Sequence, residues 1–306
     1  MGGSRERRYV QDRRPEPLWG VWLHGPESLV QEDRRSSCLL IRCVPSGRWA
    51  TLSVKYSVRF EGSDAFVFAC DLEGFFVGRY SDDDFGALLE VENSRVTFRL
   101  VRPTLDAPIE TLGGDIEVLV LDTEGRAMGR YPLWGAKLVV GDTPEYLVVT
   151  ALTGLPPHAE ARRLWDRFRV SQPQRGEWCT LQVGAREAWL EVAGLRYAES
   201  ASEGEYSVPP REIVMEGDDI KDVASFFCAI GEAFRGPGGY IGQSFTELEE
   251  SLEGCLQGAS VRLIWRNISV ARSSLSAVMD IAGGPISKFD LFLRILSQNN
   301  VDVIPG

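Results

Sequence analysis

The spacing of apolar residues changes near residue 211, and this change limits the folds that the chain can adopt. Between about residues 18 and 149, short runs alternate apolar and polar residues and are separated by turn residues, as in "WATLSVKYSVRF", "SRVTFRLVR" and "EYLVVTAL". A period of two that is rich in Val, Phe, Leu and Tyr is typical of β-strands. We therefore predict a β-rich domain over residues 18–150.

Beyond Arg211 the pattern alternates between strands and helices. The predicted strands are "EIVMEG", "SVRLIWRNI" and "VDVIPG", and the predicted helices are "DDIKDVASFFCAIGEAF", "FTELEESLEGCL" and "KFDLFLRILSQ". Because a helix crosses between each pair of strands, the strands should be parallel. Residues 211–306 are therefore expected to form an α/β domain with a three-stranded parallel sheet, and the whole chain to be a multidomain α+β protein.

The segment between these two regions is predicted to hold one helix and two strands. In "PPHAEARRLWDRFRVSQP", apolar residues recur at helical spacing between flanking prolines. "EWCTLQV" and "EAWLEVAG" favour two strands, so residues 151–200 are expected to be a helix plus β-hairpin extension. Residues 201–210 are rich in Ser, Glu, Gly and Pro, which is typical of a linker.

Two shorter patterns inside the β-rich region allow more than one interpretation. "DLEGFFVGRY" and "DTEGRAMGRY" share Asp, Glu-Gly and Gly-Arg-Tyr at matching positions. They indicate either two related units or the same turn chemistry used twice. "SDDDFGALLE" predicts a short helix capped by Ser81, because its aspartates fall where the helix dipole favours negative charge.

The net charge excludes some classes of partner. At a formal net charge of -11, the chain is a poor candidate for binding nucleic acid, since neutralising phosphates needs clustered Lys and Arg. Its arginine-rich start, residues 1–17, is expected to be a flexible basic tail, with an RNA-tethering arm as the alternative. No apolar stretch follows this start, and no run of eighteen apolar residues occurs in the chain, so neither a signal peptide nor a membrane partner is expected.

Cysteine and histidine usage gives little support to metal or acid–base chemistry. The six cysteines lack a CxxC pair and mostly stand in apolar runs, which fits buried thiols in a reducing cytoplasm. The only two histidines, His24 and His158, are far in sequence from cysteine or acidic pairs. We expect no metal ligands, no cofactor and no catalytic residues.

The stretch "RGPGGYIGQSF" joins one predicted helix to another. Phosphate-binding loops lie between a strand and a helix, and this spacing of glycines matches neither the P-loop nor the dinucleotide fingerprint. We expect a flexible loop that displays Tyr240 in front of a helix starting near Ser244. Ser244 and Glu247 have the spacing of a capping box.

The helix after this loop is acidic on one side. Its predicted inward stripe comprises Phe245, Leu248, Leu252, Cys255 and Leu256. The remaining surface carries Glu247, Glu249, Glu250 and Glu253. Such a face either solubilises the helix or binds a basic concave site, where carboxylates can replace phosphates.

The order of these pieces resembles the barstar family of intracellular ribonuclease inhibitors over the last hundred residues. Tyr240, Gly242, Leu248 and Leu252 match the family motif, whereas Ser244, Thr246 and Glu250 replace its asparagine and two aspartates. A family glutamate of the last helix falls near Ile295. The resemblance implies a three-stranded parallel sheet with helices, no catalytic activity and no cofactor. The resemblance and the acidic side of the helix together predict partner binding through Tyr240, Gly242, Ser244, Thr246, Glu247, Glu249, Glu250 and Glu253.

Three hypotheses for function follow. The first is a non-catalytic, immunity-type inhibitor that blocks a basic ribonuclease or nuclease toxin with its acidic helix and Tyr/Gly loop. The second keeps the barstar-like fold as an interaction or scaffold module, with the β-rich region carrying the main binding function. The third makes the β-rich region an enzyme that uses dispersed carboxylates such as Asp71 and Asp122.

Overall fold

A computed structural model describes residues 54–78, 94–202 and 209–306, all within one compact unit, Ser46–Gly306. The predicted tail of residues 1–17, the helix after Ser81 and residues 203–208 of the predicted linker lie outside the described residues. Among the described helices, none is long and apolar enough to cross a membrane.

Eight strands of the described residues form one antiparallel sheet in the order β3-β4-β8-β7-β6-β1-β2-β5. The strands are β1 (Tyr56–Phe60), β2 (Phe66–Ala69), β3 (Asp71–Glu73), β4 (Ser94–Val101), β5 (Thr104–Leu105), β6 (Gly113–Leu121), β7 (Ala127–Val140) and β8 (Tyr146–Thr153). Their burial alternates along the chain, with Leu147, Val149 and Ala151 of β8 buried on one face. The prediction of strands is confirmed for the described part of residues 18–150.

Helix α1 (Ala161–Val170) has its apolar residues on one side, and Ala161, Leu164, Trp165 and Phe168 are buried there. The ring of Phe168 packs on that of Trp189, 5.1 Å away between centroids. Trp165 lies directly against Gly129 of β7, where an added Cβ would stand 2.6 Å from Cη2 of the indole. A side chain at position 129 would therefore force α1 away from the sheet.

The predicted β-hairpin of the extension is wrong. "EWCTLQV" contains a 3-10 turn, Glu177–Thr180, and "EAWLEVAG" lies inside a long helix, α2 (Val183–Ser202). Helix α2 contacts α1, β7 and the following helix, and six consecutive residues of it, 188–193, are buried. A helix covered on several sides has apolar residues all round, so it lacks the one-sided period that marks a surface helix.

The C-terminal part has the predicted parallel sheet, in the order β13-β10-β9. Its elements are β9 (Glu212–Glu216), α3 (Val223–Arg235), α4 (Phe245–Leu256), β10 (Val261–Arg266), α5 (Ile268–Ser274), β11 (Val278–Ile281), β12 (Gly284–Ser287), α6 (Lys288–Gln298) and β13 (Val301–Pro305). Aromatic residues fill its core, with the rings of Phe226 and Phe292 stacked at 3.7 Å between centroids. Helix α5 and the hairpin β11–β12 were not predicted from the sequence.

The two similar sequence segments do not occupy equivalent places. Asp122 makes the turn of the β6–β7 hairpin, where its carboxylate accepts hydrogen bonds from the backbone N–H groups of Glu124 and Arg126. Asp71 instead begins β3, which pairs with β4. The described parts of the two segments therefore give no support to two related hairpin units.

Buried polar contacts join helix α3 to the segment before α2. The carboxylate of Glu232 accepts hydrogen bonds from the backbone N–H of Gly176 at 2.8 Å and from Nε1 of Trp178 at 2.6 Å. Arg186 of α2 forms an ion pair with Asp222, the N-cap of α3, at 3.3 Å. The C-terminal part is therefore packed against the extension through specific polar groups.

Candidate functional site

The acidic helix α4 begins where its cap predicts. Ser244 has extended backbone angles, and its hydroxyl accepts a hydrogen bond from the backbone N–H of Glu247 at 3.2 Å. In a capping box the Glu247 carboxylate would accept from the backbone N–H of Ser244. Here it accepts from the backbone N–H of Gln243 instead, at 3.1 Å. The Glu247 side chain is thus turned back into the loop.

Tyr240 is held against the chain itself and is half-buried, so the prediction of a loop that displays Tyr240 needs correction. Its hydroxyl donates to the Glu247 carboxylate at 2.5 Å, and its ring lies on Gly194 of α2. The ring centroid is 6.4 Å from that of Tyr197. Tyr240 is covered by α2, which is distant in the sequence. Because Gly194 of this helix has no side chain, the aromatic ring can approach it closely.

The glycines of the loop serve close packing. Gly242 has φ of +118°, and an added Cβ would stand 2.9 Å from the backbone of Glu247 and Leu248. At Gly238, with φ of +69°, an added Cβ would stand 2.5 Å from Cγ of Pro173. Residues with a Cβ adopt such angles only at a cost, so these glycines let the loop fold tightly between α3, α4 and the segment before α2.

The outward side of α4, which we call the acidic face, comprises Thr246, Glu249, Glu250 and Glu253. All four residues are exposed, and none of the three carboxylates forms an ion pair with a described residue. On the opposite side Leu248, Leu252 and Leu256 are buried, and Phe245 packs on Phe292 of α6 at 4.7 Å between ring centroids. Glu249 and Glu253 are four residues apart on the helix, so they repel each other.

The eight predicted site residues therefore separate into two groups. Tyr240, Gly242, Ser244 and Glu247 lie together in the loop and the first turn of α4, where their contacts are mostly with one another. Thr246, Glu249, Glu250 and Glu253 form the open acidic face. The carboxylates of this face pair with no described residue, and charge of this kind can attract and bind a cationic surface.

A buried polar network under the large sheet was not foreseen. The hydroxyl of Tyr131 donates to Glu191 at 2.9 Å and accepts from Nε1 of Trp165 at 2.8 Å. Glu191 also accepts from the backbone N–H of His158 at 3.1 Å. Burial raises the pKa of Tyr131 well above its ordinary value, with the Glu191 charge as a further cause. Glu191 carries no local sequence signal, since it lies in a stretch predicted to be a strand.

Other chemistry has little support in the described parts of the chain. No group of three or more His, Cys, Asp or Glu side chains there could hold a metal ion. Asp71 is paired with Arg162 at 2.5 Å, and Asp122 is paired with Arg126 at 2.9 Å. The two carboxylates of the enzyme hypothesis are thus held in separate ion pairs.

Comparisons of the chain with protein-family models, with curated proteins and with solved structures find no match. The assignment of residues 211–306 to the barstar family stays a prediction.

Proposed function

We propose that the chain is a non-catalytic, barstar-like inhibitor of a basic ribonuclease or nuclease toxin. The observation that carries this proposal is the acidic face of α4, whose three carboxylates are exposed while the opposite side of the helix is buried. In this proposal, the acidic face enters the cationic active site of the enzyme and blocks it. The four free cysteines of the described residues fit a protein of the reducing cytoplasm.

The mechanism is steric and electrostatic. A ribonuclease active site binds phosphates with cationic groups, and carboxylates held at the surface of a helix can take the place of those phosphates. Long-range attraction between the two charged surfaces speeds their encounter and weakens as salt rises, because the Debye length is only about 8 Å at physiological ionic strength.

The two groups of predicted site residues have different roles in this mechanism. Thr246, Glu249, Glu250 and Glu253 are the contact residues. The loop group supports them, because Ser244 caps the helix and Tyr240 holds Glu247. Binding is therefore expected to depend on charge at the acidic face and on rigidity at Tyr240.

Calorimetry with a panel of cationic ribonucleases tests the proposal. The test variant is Glu249→Gln, Glu250→Gln, Glu253→Gln, and the matched control removes the same charge elsewhere, as Glu61→Gln, Glu110→Gln, Asp142→Asn, all exposed positions. We expect the test variant to lose at least about tenfold in affinity, or 1.4 kcal/mol, and the control to keep nearly all of it. If no cationic nuclease binds, including one encoded beside this chain, the proposal fails.

A second candidate function has its own supporting observation. Tyr240 and Gly242 pack inward, so part of the predicted contact surface is used by the chain itself. This favours a scaffold module in which the β-rich region carries the main binding function. A partner captured by the full chain and retained by the triple Gln variant would favour this alternative.

A further inference from the structure

Three side chains connect α3, α2 and the loop in front of α4. The guanidinium of Arg235, at the end of α3, lies 4.1 Å from the ring centroid of Tyr197 on α2. The ring centroids of Tyr197 and Tyr240 are 6.4 Å apart, and the Tyr240 hydroxyl donates to Glu247 in the first turn of α4. We call Arg235, Tyr197 and Tyr240 the Tyr197 cluster. Its contacts lead from α3 to the start of the acidic helix.

Tyr197 is the aromatic residue that orients Arg235. The Arg235 side chain forms no ion pair with a described residue, and its Nε is buried without a hydrogen-bond partner among them. A guanidinium over the face of an aromatic ring is attracted by the negative charge of that face. Gly239 packs on the same side chain, since an added Cβ there would stand 2.6 Å from Cβ of Arg235. The contact with Tyr197 therefore holds Arg235 beside the glycine loop.

The Tyr197 cluster lies along one side of α4. Glu247, Ser251 and Cys255 follow one another at intervals of four residues, so they share a side of the helix. Tyr240 contacts the first of them. Burial raises the pKa of the Cys255 thiol, and Arg235 is close enough for its charge to oppose this rise. The cluster therefore lies beside α4 from its first turn to its last.

The glycine loop is fixed to the extension at a second point. An added Cβ at Gly238 would stand 2.5 Å from Cγ of Pro173 and 3.5 Å from Nη1 of Arg196. Arg196 belongs to α2, and it donates to the side chain of Gln172 at 2.9 Å. Helix α2 and the segment before it thus form one surface on which the loop rests.

Helix α2 is itself held on the large sheet. Its Glu191 accepts from the hydroxyl of Tyr131 on β7 at 2.9 Å, and its Glu199 accepts from Arg130 on β7 at 2.6 Å. Packing and hydrogen bonds that lock the residues around a site keep the site in one geometry. Helix α2 is therefore a rigid support for the loop that Tyr240 belongs to.

We propose that Tyr197 and Arg235 are positioning residues for the acidic face, and that α2 is part of the partner-binding module. The Tyr197 cluster holds Tyr240 and Glu247, so that α4 keeps one orientation relative to the large sheet before a partner binds. The proposal rests on the function proposed for α4. It places the start of the binding module in the extension of residues 151–200, ahead of residue 211, because the extension supplies Tyr197 and the surface under the loop.

Hydrogen exchange of the full chain tests the coupling without any nuclease. The reporter is the amide of Gln243, which donates to the Glu247 carboxylate at 3.1 Å. Tyr197→Leu, which removes the ring face, should speed exchange at Gln243 at least about fivefold. Tyr197→Phe keeps the ring face and should stay within about twofold of wild type.

A matched control removes a similar contact elsewhere. Tyr146 on β8 lies under the guanidinium of Arg99, with 5.5 Å to the ring centroid. Tyr146→Leu should leave exchange at Gln243 unchanged. The amides of β10 report the stability of the C-terminal part, and Tyr197→Leu should change them much less than Gln243.

A double-mutant cycle tests whether Arg235 acts through Tyr197. Arg235→Met keeps much of the side-chain length but removes the guanidinium, so it should speed exchange at Gln243 as Tyr197→Leu does. The variant that combines both changes should exchange no faster than Tyr197→Leu alone, because one contact is lost in each case. Multiplied effects would show that the two residues act independently.

Binding kinetics separate positioning from charge, with the tightest-binding ribonuclease of the calorimetric panel as the probe. A loop that must become ordered on binding weakens the complex mainly through koff, whereas long-range attraction by the acidic face sets kon. Tyr197→Leu should raise koff at least about fivefold and change kon less than about twofold. The triple Gln variant of the acidic face should instead lower kon and its dependence on salt.

Several results would overturn the proposal. Exchange at Gln243 that is equal in Tyr197→Leu and wild type would show that α2 does not hold the loop. Equal acceleration by Tyr197→Phe and Tyr197→Leu would remove the role of the ring face, and equal acceleration at β10 would show a general loss of stability. If no ribonuclease binds, the inhibitor function fails, and the exchange data alone decide whether Tyr197 positions the start of α4.

Discussion

The ring of Tyr240 rests on Gly194 of α2, where an added Cβ would stand 3.1 Å from Cζ of the ring. This contact joins the loop in front of the acidic helix to a helix that also packs on the large sheet. The position of Tyr240 therefore depends on a residue 46 positions earlier in the chain.

Replacing Gly194 with leucine should destabilise the protein. The added side chain meets the Tyr240 ring at a distance tighter than ordinary contact, so the loop must move, and overpacking of this kind costs about 1–3 kcal/mol. Urea unfolding measures the change. Gly254→Ala is the matched control, because Gly254 lies in α4 and no atom of the described residues is within 4 Å of an added Cβ. It should gain about 0.5–1 kcal/mol from helix propensity alone. Because both changes remove a helical glycine, a Gly194→Leu protein as stable as Gly254→Ala would contradict the packing of Tyr240.

Replacing Glu232 with alanine should cost at least about 2 kcal/mol, because it leaves two buried donors without their acceptor. Glu232 is 5% exposed, and its carboxylate accepts from both Gly176 and Trp178. Chemical denaturation followed by far-UV circular dichroism gives the value. Glu253→Ala, at an exposed residue of α4, should stay within about 0.5 kcal/mol of wild type. A Glu232→Ala protein as stable as this control would show that the two donors find other acceptors.

Loss of the helix cap is expected to be smaller but measurable. Ser244→Ala removes the hydroxyl that accepts from the backbone of Glu247, and such losses typically cost about 1 kcal/mol. Thr246→Ala, two residues along and exposed, should be neutral or gain a few tenths of a kcal/mol. Comparing the two midpoints of urea unfolding separates the cap from a general effect of alanine. Coincident midpoints would mean that Ser244 does not stabilise α4.

The C-terminal part was predictable because each of its main elements carries a local signal. Helix α4 has the same bounds that the sequence suggested, Phe245–Leu256, since its leucines recur on one side and Ser244 marks its start. The strands around α3 and α6 are short apolar runs, and the parallel order follows from the crossing helices. In the C-terminal part, the apolar pattern of each segment therefore predicts the same helix or strand that the packed structure contains.

Helix α2 and the placement of Tyr240 were not predictable for one shared reason. The burial of α2 on several sides removes the one-sided apolar period, so "EAWLEVAG" fits a strand equally well. Once α2 is taken for a hairpin, no residue is available to cover Tyr240. The inward position of Tyr240 thus depends on a contact between distant parts of the chain.

The stability of the fold should fall in alkaline solution. Burial raises the pKa of the Cys228 thiol well above its ordinary value of 9.0, and burial, followed by a hydrogen bond with Asp219, raises that of Cys179 to about 12. The unfolded chain releases these protons near pH 9, whereas the folded chain retains them. The stabilisation is therefore complete below about pH 9 and is lost as pH rises through the folded pKa values.

Urea unfolding at several pH values tests this dependence and assigns it to a residue. For fully buried Cys228 the free energy of unfolding should fall by about 1.4 kcal/mol for each pH unit above 9, so Cys228→Ala should flatten the slope as well as lower the stability. Val223→Ala, on the same helix, removes apolar volume without a titrating group and should lower the stability while keeping the slope. A Cys228→Ala protein whose slope matches that of Val223→Ala would show that the thiol does not control the alkaline limit.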